Sequence, residues 1–176
     1  MTTDIVARPG LPTLFGTPDP EEILRAAAAK ATVLARVIKE RGLAISISGH
    51  DHVRIEGWTF LGSMVGVYPV TVWSRPIEGG FEARVEARSL NGDLVSAAEA
   101  QCTDEEANWH DRDAYALRSM AQTRAAAKAL RLPLGYIMVL AGFEATPAEE
   151  MDGVAHKGQT PPAPFCARHN TAFRRY

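Results

Sequence analysis

"GGFEARVEARSLNGDLVSAAEAQC", Gly79 to Cys102, is the stretch on which the fold turns. Asn91-Gly92 between two alternating runs is the strongest short-range hairpin signal, and it predicts a two-residue turn. That turn sets Leu90 opposite Asp93. Counting outward puts Phe81, Ala83, Val85 and Ala87 beside Cys102, Ala100, Ala98 and Ser96. This is one face of small, apolar side chains, suited to close packing of a helix. The other face carries Glu82, Arg84, Glu86 and Arg88, with Gln101, Glu99, Ala97 and Val95 opposite. Arg84 lies across from Glu99, a favourable cross-strand pair. The two strands agree on which face is apolar, as a correct register requires.

Upstream, "VGVYPVTVW" supplies a preceding strand ending at Trp73, with "SRPIEGG" as its connecting turn. "EGWTFLGSMVGVYP" is ambiguous by period, and a short helix over Trp58 to Val65 is favoured, ended by Gly66 and Pro69. "LAISISGHDHVRI" reads as two short strands around a turn at Gly49 to His52. "DPEEILRAAAAKATVLARVIKERG" carries helix signals at both ends. Asp19 caps, Pro20 takes the first position, Glu21 and Glu22 suit the positive end of the dipole, and Gly42 allows a left-handed exit. Residues 1–18 hold Pro9, Pro12 and Pro18 and are expected to be a flexible lead-in.

Downstream of a polar loop, "TDEEANWHDRD", comes "RSMAQTRAAAKALRLPLG", Arg118 to Gly135. It reads as a helix of alanines and cations that Pro133 should stop, followed by a short apolar helix from Leu134 to Gly142. The expected class is α+β: an antiparallel sheet with a β-β-β-α core, a long helix packed across one face, and an N-terminal helix before it. The core domain is placed at residues 19–144 and an acidic, then proline- and glycine-rich linker at 145–165. Residues 166–176 would be the start of a zinc-like element cut short at Tyr176. There Cys166 and His169 form C-x-x-H, half of the four ligands tetrahedral zinc needs.

The chain has 176 residues, is 46% hydrophobic and has a net charge of −2, which allows one domain with a core. A pI near 6.2 gives no global attraction to nucleic acid or anionic membrane, so such a role needs a local patch. Two cysteines far apart argue against a disulfide framework and for a reducing compartment. No apolar run approaches the roughly 20 residues that span a bilayer. The start does not resemble a secretory signal. A soluble, cytoplasmic protein with no membrane partner is expected.

The long helix supplies the main candidate site. With Arg124 at the origin and a step of about 100° per residue, Lys128 lies at about 40° and Arg131 at about −20°. These three form one stripe. Tyr115, Ala116, Met120, Thr123, Ala126, Ala127 and Leu130 fall between about 180° and 320° and make the arc expected to pack on the hairpin. From Arg112 to Arg131 the only acid is Asp113, so the stripe lacks the glutamates that usually pair with cations four residues away. It is either a solvated face or a track for phosphates, whose binding is largely electrostatic. "HDH" (His50 to His52) and "WHDRD" (Trp109 to Asp113) invite a metal-dependent phosphohydrolase using His50, His52, His110 and Asp111. A turn and a helix cap at Asp111 or Asp113 explain them more simply. No phosphate loop, GxSxG motif or catalytic triad is present, so no cofactor and no catalytic residue is assigned.

"HVRIEGW", then "GVYP", the hairpin strands, and "YALRSMAQTRAAAKALRLPLG" follow one another in an order that resembles the single-strand annealing proteins. These include the eukaryotic recombination mediator Rad-fifty-two and phage recombinases of the Sak and Erf types. The resemblance covers Gly42 to Gly142 and rests on shared order and spacing rather than on any one motif. It implies ATP-independent binding and annealing of single-stranded DNA in recombination and repair by a homo-oligomeric ring or filament. It also admits a single-strand-binding protein or an exonuclease as a further partner. It implies a basic groove lined by Lys128 and Arg131, with Arg124 a turn earlier. Arg54 and Trp58 are added as contributors, Trp58 being either core or base-stacking. The sequence departs from the pattern at Thr59, where the family has a cation, and at Ala127, where an adjacent Lys-Arg pair is expected. With the acidic pI, this suggests one modest groove rather than two basic surfaces. The alternative from another class is an oligomeric adaptor whose basic stripe meets an acidic neighbour, such as the "PAEEMD" segment of another subunit.

Overall fold

The computed structural model describes residues 13–151 and two short antiparallel strands at Phe165–Cys166 and Thr171–Ala172. Helix α1 (Pro20–Arg41) is followed by the antiparallel pair β1 (Ala44–Ile47) and β2 (His50–Val53), then α2 (Ile55–Val65). A meander β3 (Val67–Ile77), β4 (Gly80–Ser89) and β5 (Leu94–Thr103) forms a three-stranded sheet in that order. Helix α3 (Ala114–Leu140) lies across it, and a single 3-10 turn, Ala148–Glu150, follows. The fold is α+β, with a long helix on one face of an antiparallel sheet.

The hairpin register from Phe81↔Cys102 to Ala87↔Ser96 is the one the alternation implies. Ala83, Val85, Ala87, Ala98 and Cys102 are buried beneath α3, and the Arg84 guanidinium meets Glu99 at 2.9 Å on the other face. The turn itself differs. Gly92 donates to the Ser89 carbonyl and Ser89 to that of Asp93, both at 2.9 Å. Only Gly92 takes a left-handed backbone there, at φ 85°. Both primed two-residue turns need positive φ at the first central residue, and Asn91 does not supply it. The loop is one residue longer, so Arg88 pairs with Leu94. A bulge beside Ala87 takes up the slip, which leaves the inner pairs unchanged.

Three other boundaries move. Strand β3 runs through "SRPI" to Ile77 rather than stopping at Trp73, and its turn is only Glu78-Gly79. Pro69 and Pro76 are tolerated because β3 is a sheet edge, where a missing N–H breaks no ladder. Helix α2 begins at Ile55 rather than Trp58. His50 to His52 lie in strand β2, and the turn before them is Ser48-Gly49.

The largest departure is at Pro133, which lies inside α3 and does not end it. A proline at this position leaves the carbonyl four residues earlier, that of Ala129, without its helical donor. The Ser96 hydroxyl on β5 donates to that carbonyl at 2.5 Å. The sheet thus replaces the bond the proline removes, and the two helices expected around Pro133 are one.

The chain on either side of the core also packs. Leu14 and Phe15 of the expected lead-in rest on it, and residues 1–12 lie outside the described part. Pro147 and Ala148 are buried, so the globular unit continues past residue 144 to Met151, into the stretch expected to be linker. Among the described residues no helix is long and apolar enough to cross a membrane.

Candidate nucleic-acid interface

Helix α3 buries a broad arc that includes Leu117, Ala121, Arg124, Ala125, Ala127, Ala129 and Leu130. The arc is centred near Arg124, not on the side that carries Tyr115, which is 75% exposed. An alanine-rich helix sets its face by where small side chains permit contact, and alanines occur all round this one. Arg124 therefore points inward rather than along an open stripe. It is 8% exposed. Its guanidinium donates to both oxygens of Glu106, at 2.8 and 2.6 Å, and to the Gln101 carbonyl at 3.0 Å. A planar fork meeting a carboxylate in this two-point geometry ties the 104–113 loop to α3 and β5. Arg124 is a wall of the groove, held by the protein itself.

One turn further along, Lys128 faces a groove of about 360 Å³, and Arg131, nearly a turn beyond it, meets the groove only through Glu150. Its lining includes Gln101, Thr103, Glu106, Lys128, Glu149 and Glu150. Arg131 donates to Glu150 Oε2 at 2.9 Å, with 29% of its side chain exposed. Lys128 is half-buried and makes no ion pair with any described residue. The groove thus holds three carboxylates as well as its cations. Glu149 and Glu150 of the acidic "PAEEMD" segment meet the basic helix from within the same chain.

Arg54 is exposed and occupies the cap position of α2. It borders a second, smaller depression with Ile45, Met120, Ala148 and Glu149. Glu149 belongs to both depressions, so Arg54 and Lys128 approach the same acidic turn from two sides. Glu149 Oε1 accepts from the Ile55 backbone N–H at 2.8 Å, at the positive end of α2. Burial raises the Glu149 carboxyl above its ordinary range, and the hydrogen bond from Ile55 opposes that rise. Trp58, by contrast, is fully buried, with its indole N–H donating to the Val53 carbonyl at 3.1 Å. A ring with no exposed face cannot stack on a base, which leaves the core alternative.

The histidine motifs have structural work. His52 Nδ1 contacts the Thr146 carbonyl at 2.9 Å and His50 Nδ1 the Glu144 carboxylate at 2.8 Å. Glu144 N–H donates to the Asp51 carbonyl at 3.0 Å. "HDH" therefore fastens the chain leaving α3. His110 Nδ1 lies 3.2 Å from the Asp104 carbonyl, and Asp113 takes the cap position of α3. No group of three or more His, Cys, Asp or Glu suited to a metal occurs among the described residues. Cys166 lies in a two-residue strand, and His169 is outside the described part.

Across the sheet's outer face the cations are paired: Arg75 with Glu82, Arg84 with Glu99 and Glu86, and Arg88 with Glu86. That face is a ladder of paired, mutually neutralised charges, whereas in the groove Lys128 makes no ion pair with a described residue. Sequence reasoning missed Glu106, Glu149 and Glu150 as parts of one place. They are separated from the helix by turns and loops, and pairing over such distances leaves no periodic signal. No family model, curated protein or solved structure matches this chain.

Proposed function

We propose that this protein binds single-stranded DNA and anneals complementary strands without ATP, as a homo-oligomeric ring or filament. Lys128 and Arg131 contact phosphates, with Arg54 at the far side of the acidic turn. The observation that carries this reading is Lys128: a half-buried cation with no ion-pair partner among the described residues, facing a groove from a rigid helix. Cations at one-turn spacing on a rigid element suit a phosphate chain. The β-β-β-α order around the "SLNGD" hairpin and the resemblance it carries point the same way. Arg124 serves by holding the groove wall in place, and Trp58 by filling the core.

The test is strand annealing followed by energy transfer between two labelled complementary oligonucleotides, with no nucleotide triphosphate present. Acceleration over the protein-free rate is expected, and Lys128→Ala/Arg131→Ala should abolish most of it. Assembly into a ring with no DNA affinity at low salt favours the adaptor reading instead. The Arg131–Glu150 ion pair favours that second reading to this extent: it shows that the stripe accepts a peptide carboxylate.

A further inference from the structure

Taking the groove as a nucleic-acid site, we propose that Glu149 and Glu150 are its built-in competitor. Their carboxylates stand where phosphates would lie, and a strand must displace them to reach Lys128 and Arg131.

The anchoring of the segment supports this. Behind the two glutamates the chain is firmly held, by the His52 contact to the Thr146 carbonyl, the Glu144-to-Asp51 hydrogen bond, and the burial of Pro147 and Ala148. The glutamates themselves are held by fewer bonds. Glu150 spends one oxygen on Arg131, and Glu149 one on the Ile55 N–H. The other two oxygens, Glu149 Oε2 and Glu150 Oε1, are buried with no hydrogen-bond donor. A buried carboxylate oxygen without a donor is costly. The two unmatched oxygens weaken the closed arrangement, which the Arg131 pair and the Ile55 bond hold, and only these two side chains need to move.

The positions they hold are those an anion would choose. Glu149 takes the N-terminal N–H of α2, an orphan donor at the positive end of the helix dipole. Glu150 takes the Arg131 guanidinium. When the acids leave, Arg131, Ile55 N–H and the neighbouring Lys128 and Arg54 become donors on one surface. Sequence-tolerant phosphate binding would then be gated by a competing charge of the same chain, which suppresses weak, adventitious anions more than a long polyanion.

The experiment compares wild type, Glu149→Gln/Glu150→Gln and Lys128→Ala/Arg131→Ala in binding a labelled thirty-residue oligo-dT by fluorescence anisotropy. Glutamine keeps an oxygen for the Ile55 N–H and removes the charge. The glutamine variant should bind about tenfold tighter at low salt, a change of about 1.4 kcal/mol. Equal or weaker binding, with unchanged circular dichroism and melting, overturns the proposal. If wild type binds and the alanine variant does not, yet glutamine brings no gain, the competitor falls and the DNA site stands. If neither wild type nor the glutamine variant binds at low salt, both fall.

Discussion

Replacing Ser96 by alanine should destabilise the protein through a proline 37 residues away in sequence. The Ser96 hydroxyl gives the Ala129 carbonyl the bond that Pro133 cannot give. Ala129 is fully buried, so water does not take over. Leaving one buried acceptor unmatched costs about 1–3 kcal/mol. In a domain of this size each kcal/mol lowers Tm by roughly 2–4 °C, so a fall of about 2–12 °C is expected. Pro133→Ala restores a backbone N–H at the right place. It should recover at least about 1 kcal/mol more in the Ser96→Ala background than in the wild type, since interacting sites depart from additivity by about that amount. Urea unfolding of the four proteins measures this coupling directly. Additive effects within about 0.3–0.5 kcal/mol, the range for independent sites, would refute the bond-replacement argument.

The remaining predictions concern the groove. Arg124→Ala should be a stability variant: breaking a partly buried two-point pair costs about 2–4 kcal/mol, below the upper range for fully buried pairs because Glu106 is 28% exposed. Thermal melting should show the loss, whereas Lys128→Ala should melt near the wild type; the opposite ranking would remove Arg124 from the wall. Glu149 carries a pH signature. Its folded pKa lies above the ordinary 4.5, so the native state keeps a proton that the unfolded chain has lost. Its contribution therefore favours folding as pH falls into the window just above 4.5, and fades as pH rises through it. Tm measured across that window should vary less with pH in Glu149→Gln, and an identical profile would contradict the assignment.

Much of the fold was legible because several local signals agreed. The alternation on β4 and β5 names the same buried face, and that face survives even though the turn is one residue longer than Asn91-Gly92 suggests. Where legibility failed, the deciding partner was distant. Pro133 reads as a stop because local rules cannot see Ser96 on a neighbouring strand. Arg124 reads as outward because helical spacing locates a cation, whereas burial depends on Glu106 across the loop. "PAEEMD" reads as linker by composition, yet its Glu149 and Glu150 close on the basic helix of the same chain. His50 to His52 read as a turn because two histidines beside a glycine resemble one, and their strand pairing with Ala44–Ile47 sets them instead. The spacing of Lys128 and Arg131 holds on the single helix α3, but it could not foresee that Lys128 lines the groove while Arg131 is taken up by Glu150.

The most direct test of the central claim is the salt dependence of oligo-dT binding. Wild type should show log affinity falling linearly with log salt. Lys128→Ala/Arg131→Ala should flatten that line by about 1.4 in slope, from about 0.7 per phosphate contact on single strands. A wild type that does not bind at low salt, or a double variant with an unchanged slope and affinity, would contradict the account.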